Sequence, residues 1–357
     1  MTIRSLLITA ALLFVCATGG VLAKLAQVPM PWMLGALVTS ALAVGFLQNG
    51  MLQNYAFPMP LRTGFITMIG VMIGTQASPE LLEQASVLPL FLVVLAGFIL
   101  LAHGGNVLIF RHVGGFDRAT AFYSGTPGGL MESILLGEAS GADVRVLTIQ
   151  QFLRIIVVVT TVPAGLSLWL GHPVGSAAGV VAGGPPANVE ISELLLVAVA
   201  GGVGLGLARL IRLPAGQLTG PLLLVGGLTL AGFIELHVPF WLIAAAQIVV
   251  GTSLGLRFTG VTMKMLKRSA GLAVLSVGYM LALGAAIAWG MQQLTGLPFL
   301  VLLISFAPGG VTEMSIIALS LAASPALVSL FHVLRILMTV VELTVLSRVL
   351  RPGNRQA

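Results

Sequence analysis

The chain has 357 residues, of which 57% are hydrophobic and 8% charged, with a mean hydropathy of +1.07. A soluble domain carries about 25% charged residues, so no soluble domain is expected. The formal charge of +6 lies in short loops between apolar runs, which fits membrane orientation and argues against nucleic-acid binding, and the one cysteine, Cys16, excludes an internal disulfide.

Apolar runs close to the length needed to span a bilayer recur along the whole chain. Arg4 and the run that follows resemble a signal peptide. The segment has a counterpart in mid-chain, however, so Leu6–Ala23 is read as the first transmembrane helix. Trp32–Phe46, Leu61–Gly74 and Val87–Ile109 follow, with Glu80 and Glu83 in the loop before the last of these. Ala119–Ser140 holds the sequence Ser124-Gly125-Thr126-Pro127-Gly128-Gly129, with Glu132 three residues on. Val146–Leu170 is the next run, and Gly171–Asn188, rich in Gly, Pro and Ala, reads as a loop. The second half gives Ile191–Ala208, Gln217–Ile234, Phe240–Leu256 and Gly271–Met291. Phe299–Ala322 then holds Ser305-Phe306-Ala307-Pro308-Gly309-Gly310 followed by Thr312 and Glu313, and Pro325–Leu346 closes the series.

The halves repeat each other. Pro127 and Pro308 are 181 residues apart, and the same offset links Glu132 to Glu313, Arg154 to Arg335, Gly70 to Gly251, Gly74 to Gly255 and Pro58 to Pro239. Nearer the start, Lys24 and Arg209, Pro29 and Pro214, and Gly35 and Gly220 share an offset of 185. Residues 1–171 and 191–357 are therefore read as two membrane repeats joined by a loop at 172–190. Pro-Gly-Gly cannot continue a helix. At membrane depth such a break persists only where protein buries it or water reaches it.

Two topologies compete. If each Pro-Gly-Gly segment crosses the membrane, each half has six crossings and the repeats run parallel. If each dips in and returns, each half has five crossings and the repeats are inverted. With five, and the N-terminus inside, Arg4, Arg111, Arg118, Arg145, Arg209, Arg212, Lys264, Lys267, Arg268, Arg348, Arg351 and Arg355 all fall on the cytoplasmic side, and Lys24 is the main exception. The excess of positive charge on one side favours this arrangement. The expected fold is an all-α polytopic membrane protein with two inverted repeats of five helices. Each repeat carries a re-entrant or broken-helix hairpin, and both termini are cytoplasmic, in an inner membrane.

Arg154 and Arg335 each fall about 15 Å into a helix, near the centre of a ~30 Å hydrocarbon core. An unpaired charge there costs at least about 2.5–3.5 kcal/mol, so partners are expected, with Glu132 and Glu313 as candidates. The pairs serve either to lock each hairpin or to hold an anionic solute, with a Glu carrying a coupling proton. The candidate substrate site comprises Ser124, Thr126, Pro127, Gly128, Gly129, Glu132, Gln151 and Arg154 from the first repeat. Ser305, Pro308, Gly309, Gly310, Thr312, Glu313, His332 and Arg335 complete it from the second. Gln151 and His332 lie three residues before their arginines, on nearly the same helix face. Half-helix starts favour anions, and freed carbonyls can hold Na⁺. The glycine pairs Gly70/Gly74 and Gly251/Gly255 fit close helix packing. The five histidines have no metal-ligand spacing, and neither a nucleotide loop nor a nucleophile elbow is present.

These motifs resemble the AbrB family of bacterial membrane proteins, sometimes labelled ammonia monooxygenases. The resemblance rests on Thr126-Pro127-Gly128-Gly129 with Glu132, Gly141-Ala142-Asp143-Val144 and Gln151-Phe152-Leu153-Arg154. The second copy reads Ala307-Pro308-Gly309-Gly310 with Glu313, then His332-Val333-Leu334-Arg335. Ala307 replaces the Thr, and Ser324-Pro325 stands in place of Ala142-Asp143. The family also resembles transporters built from inverted five-helix repeats. It therefore implies a secondary transporter or exporter of a small anionic or zwitterionic solute, working by alternating access. A membrane regulator acting through a partner is the alternative, and an oxygenase lacks the copper or iron ligands it would need. No enzyme and no resident metal or cofactor is expected beyond a coupling H⁺ or Na⁺. The partners expected are the lipid bilayer and the solute, with a homodimer as an ordinary assembly.

Overall fold

The computed structural model describes residues 3–28, 30–77, 79, 84–175, 191–213 and 215–350. Pro29, Pro214, Glu80, Glu83 and residues 176–190 of the inter-repeat loop lie outside them. Among the described residues the regular structure is helical. The first half gives α1 (Ile3–Leu25), α2 (Pro31–Leu47), α3 (Met59–Gly74), α4 (Leu88–Leu108), α5 (Arg118–Ser124), α6 (Leu130–Ala139) and α7 (Val144–Leu170). The second gives α8 (Ile191–Leu210), α9 (Gly216–Leu230), α10 (Phe240–Gly255), α11 (Met263–Thr295), α12 (Phe299–Phe306), α13 (Val311–Ser320) and α14 (Pro325–Leu350).

The ten segments expected to span the bilayer are all helices. Seven are long and apolar enough to cross a membrane, and α2, α3 and α9 are shorter, at 17, 16 and 15 residues. Each half also contains the expected interruption, at 125–129 and at 307–310. The protein is an all-α, multi-pass membrane protein.

The helices form two compact units. One contains α1–α3, α8–α10 and α13, together with the end of α7 and the start of α14. The other contains α4–α6, α11, α12 and the remaining parts of α7 and α14.

The first unit is built on glycine contacts that repeat with the duplication. A Cβ on Gly35 would lie 2.4 Å from the Gly19 carbonyl, and one on Gly220 would lie 2.2 Å from the Gly204 carbonyl. Thus α1 meets α2 as α8 meets α9. Each repeat's third helix lies against the other repeat's second. A Cβ on Gly70 or Gly74 of α3 would meet the carbonyls of Leu218 or Leu222 of α9 at 2.5 and 2.9 Å. One on Gly251 or Gly255 of α10 would meet those of Met33 or Leu37 of α2, both at 2.3 Å. In both pairs the contacts advance in the same sense, so α3 runs with α9 and α10 with α2. Lys24, the exception to the charge pattern, sits 5.7 Å from the Trp32 ring centroid, where the ring's negative face attracts it.

In the second unit α6 folds back along α5. Thr126 Oγ1 is 2.7 Å from Ser133 Oγ, Tyr123 Oη is 2.9 Å from Ser140 Oγ, and the Asp143 N–H donates to Thr120 Oγ1 at 2.8 Å. These nested contacts define a helical hairpin. Asp117 caps its first arm by accepting from the Thr120 amide at 2.9 Å, the role for which a short acidic side chain before a helix is suited. Gly129, at φ +59°, starts the second arm, a conformation that costs glycine little.

Candidate functional site

A helix that stops inside a membrane leaves its last carbonyls without backbone donors. At the end of α5, side chains take them in order. His103 Nε2 lies 2.9 Å from the Phe122 carbonyl, which also accepts from the Gly125 amide at 3.1 Å. Gln151 Nε2 donates to the Tyr123 carbonyl at 2.9 Å and to Thr126 Oγ1 at 2.8 Å. Asn106 Nδ2 donates to the Gly125 carbonyl at 3.1 Å and is itself oriented by Ser276, whose Oγ donates to Asn106 Oδ1 at 2.9 Å. Arg154 Nη1 donates to the Thr126 carbonyl.

The second break is held on the same plan. Arg335 donates from its two terminal nitrogens to the carbonyls of Ala307 and Gly309. Both arginines are buried, at 8% and 2% exposure, as their depth in the helices requires. Their partners are not the ones the charge pattern predicted. Among the described residues neither forms an ion pair with a carboxylate. A guanidinium offers planar forked donors, and the broken backbone supplies the acceptors. Each Nε is buried without a hydrogen-bond partner among the described residues. The two guanidiniums lie within electrostatic reach of each other.

The glutamates have contacts of their own. Glu313 is buried, accepts from Thr312 Oγ1 at 2.8 Å, and feels the charge of Arg62 on α3. Thr312 and Glu313 belong to the first unit, whereas the other predicted residues belong to the second. Glu132 is half-buried, and its Oε2 would be 3.6 Å from a Cβ on Gly129.

Within the second unit α14 brings the two breaks together. Arg335 holds the second, and one turn on, Thr339 lies where a Cβ on Gly128 of the first would be 3.2 Å from its Oγ1. Four residues of helix rise only about 6 Å. Pro127, Gly128, Gly129, Pro308 and Gly309 are buried around this helix, and Gly310 is partly so. Ser124 is buried and its Oγ has no partner among the described residues, whereas Ser305 donates back to the Val301 carbonyl at 2.7 Å. His332 is fully buried, one turn before Arg335.

Sequence reasoning overlooked His103, Asn106, Ser276 and Glu342. Their signal was available, because polar or ionisable groups inside a spanning helix mark function by default. A search for metal spacing passes over His103, and no group of three or more metal-ligating side chains occurs among the described residues.

Fold and site together define a duplicated multi-pass membrane protein with two buried helix breaks. The family model described as "Transition state regulatory protein AbrB" matches residues 41–351, and the chain belongs to that family. It is 27% identical over 271 residues to a protein of Escherichia coli (strain K12) named "Putative regulator AbrB", covering 75% of this chain and 76% of the relative. It is 23% identical over 373 aligned positions to "Uncharacterized protein YhjN" of Bacillus subtilis (strain 168), covering 94% and 91%.

Proposed function

We propose that this protein is a secondary transporter or exporter of a small anionic or zwitterionic solute, working by alternating access at the paired breaks. The observation that carries the proposal is the pair of buried arginines. Two guanidiniums in one unit, each with an Nε unpartnered and no carboxylate in an ion pair among the described residues, form a positive centre inside an apolar protein. An anion reaching them would offset a burial cost of at least about 2.5–3.5 kcal/mol per charge. The N-terminal end of α6, in the same unit, adds a dipole that favours an anion.

The contacts of the first unit support inverted repeats. Consecutive spanning helices run in opposite senses, so α2 opposes α3. Since α9 runs with α3, it opposes its repeat counterpart α2. Inverted halves with interrupted helices are a recurring plan of secondary transporters. The inner-membrane location and cytoplasmic termini follow from the charge pattern under this reading.

The test uses purified protein in proteoliposomes with a panel of radiolabelled carboxylates, inorganic phosphate and amino acids. Gradient-driven flux of at least one solute is expected. It should fall about tenfold or more in Arg154→Ala and Arg335→Ala, the equivalent of one charged hydrogen bond. Gel-filtration and thermal-unfolding profiles identify variants that fold. Unchanged flux in folded variants would remove the arginines from the site. No flux from a folded wild type would favour a membrane regulator acting through a partner, and the name of the Escherichia coli relative contains the word regulator.

A further inference from the structure

His103 on α4 and Glu342 on α14 form a second buried ionisable centre. Their side chains are 3% and 8% exposed, and His103 Nδ1 lies 2.8 Å from Glu342 Oε1. The other ring nitrogen, Nε2, faces the Phe122 carbonyl at 2.9 Å. A carbonyl only accepts, so Nε2 must carry a hydrogen. Across the ring there are two arrangements. Either Nδ1–H donates to a carboxylate, or a carboxylic O–H donates to Nδ1. Both hold one proton more than a neutral imidazole beside a carboxylate, and both are electrically neutral overall.

Losing that proton would leave a net negative charge in the apolar interior. It would also set lone pair against lone pair at one of the two contacts, so the ring must abandon either Glu342 or Phe122. Phe122 O is the first of the carbonyls that side chains hold at the break. We infer that His103 and Glu342 form an exchangeable proton-binding site whose loading pins the end of α5, and with it the first break, to α4 and α14. This role rests on the transporter reading, in which the proton is the coupling ion. It moves that task from Glu132 and Glu313 to a pair in which a proton already bridges two elements.

The ionisable groups on the elements around the pair are few. On α4 no other titratable side chain is present, and α11, which packs against α4, carries Lys264, Lys267 and Arg268 in its first two turns and Tyr279, whose hydroxyl donates to the Leu101 carbonyl at 2.9 Å. On α5 there are Arg118 at its start and Tyr123, whose hydroxyl is bonded to Ser140. On α14 Arg335 lies two turns earlier and is engaged at the second break. On α6 there are Glu132 and Glu138. Glu342 Oε2 is buried without a hydrogen-bond partner among the described residues. It borders an apolar cleft of about 380 Å³ lined by Ile99, Leu100, Leu337 and Val341 among others. Leu100 and Val341 are exposed at its rim, which gives lipid-soluble reagents a route to the carboxyl.

Dicyclohexylcarbodiimide tests this directly. The O–H of a protonated carboxyl adds across one C=N bond: oxygen bonds to the central carbon, the proton passes to nitrogen, and an acyl shift leaves a stable N-acylurea. Mass spectrometry of treated membranes should find this adduct on Glu342 in acidic buffer and less of it in alkaline buffer, and Glu342→Gln should remove it. Nitrogen NMR of the full chain in bilayers, labelled at histidine, gives the second measurement. His103, identified by its loss in His103→Asn, should have both nitrogens protonated. Otherwise it should be neutral with Nε2–H, beside a carboxylic-acid infrared band that Glu342→Gln abolishes. A neutral ring beside an ionised Glu342, or signals unchanged between acidic and alkaline buffer, would overturn the inference whether or not the adduct forms. The transport assay separates the two proposals. Flux that stays driven by a pH gradient in Glu342→Gln sinks the coupling role and leaves the transporter reading standing. A pair that titrates while no panel solute moves leaves the proton site standing and sinks the transporter reading.

Discussion

Arg335 does for the second break what a continuing helix would otherwise have done. Pro308 and the glycines end the backbone ladder, and the guanidinium collects the carbonyls this frees at Ala307 and Gly309. An unpaired buried carbonyl costs about 1–3 kcal/mol, so the side chain and the break need each other. The sequence made part of this legible. Depth in the helix predicted that both arginines are buried and partnered. The partner was misjudged because a backbone acceptor leaves no complementary residue type to read: any residue supplies a carbonyl, and only folding decides which one is free. Asp117 gives the residue-scale test. Burial alone would raise its pKa, but hydrogen bonds from the Thr120 hydroxyl and from nearby amides outweigh this and hold the carboxyl below its ordinary range. A folded pKa below the unfolded one gives stability that is present above the unfolded pKa and lost as pH falls through the folded one. Amide exchange at the start of α5, corrected for its intrinsic pH dependence, should therefore accelerate in that acidic window. Asp117→Asn should flatten the response, and Asp117→Ala should cost about 0.5–2 kcal/mol at neutral pH.

At the scale of elements, the two kinds of glycine behave differently. Those in α3 and α10 admit the backbone of a neighbouring helix, and a Cβ at Gly255 would lie 2.0 Å from Ser40 Oγ and 2.3 Å from the Leu37 carbonyl. Gly97 and Gly104 of α4 face open space, with nothing within 4 Å of an added Cβ. Overpacking a tight contact costs about 1–3 kcal/mol, whereas removing helix glycine gains about 0.5–1 kcal/mol. Thermal unfolding in detergent should thus show Gly70→Ala and Gly255→Ala melting lower than wild type, and Gly97→Ala unchanged or higher. The spacing of these glycines announced close packing but not which helix would come close. That choice lies in the tertiary arrangement, where α3 takes α9 and α10 takes α2. The helix breaks were legible for a simpler reason, since proline and glycine act on their own backbone. A hairpin at this break was expected from the charge pattern, but not the contacts that close it, which depend on Thr126, Ser133, Tyr123 and Ser140 meeting across the turn.

For the whole molecule, hydropathy located the spanning segments because lipid demands long apolar runs, and the duplication was visible in matched charges, glycines and prolines. The sense of the two halves is the part that composition constrains least, and it is measurable. Pro79 follows α3, and Thr259 follows α10, at nearly equivalent points of the repeats. In a Cys16→Ser background, cysteines placed at these two positions should react with a membrane-impermeant maleimide from opposite sides of oriented vesicles. Reaction from one side would establish parallel halves. The repeats are not copies in every respect, however. At the repeat offset of 181, His103 corresponds to Gly284 and Glu342 to Thr161. A Cβ on Gly284 would lie 3.2 Å from Phe306 Cβ, and the Phe306 ring stacks on Phe91 at 5.0 Å. The first break has a histidine–glutamate contact beside it, the second a stack of aromatic rings. An assembly of two identical polypeptides could not have diverged in this way, because every replacement would appear in both places at once. Tandem fusion released the halves from that bond, so that one break can carry a buried imidazole–carboxylate contact while the other carries stacked rings.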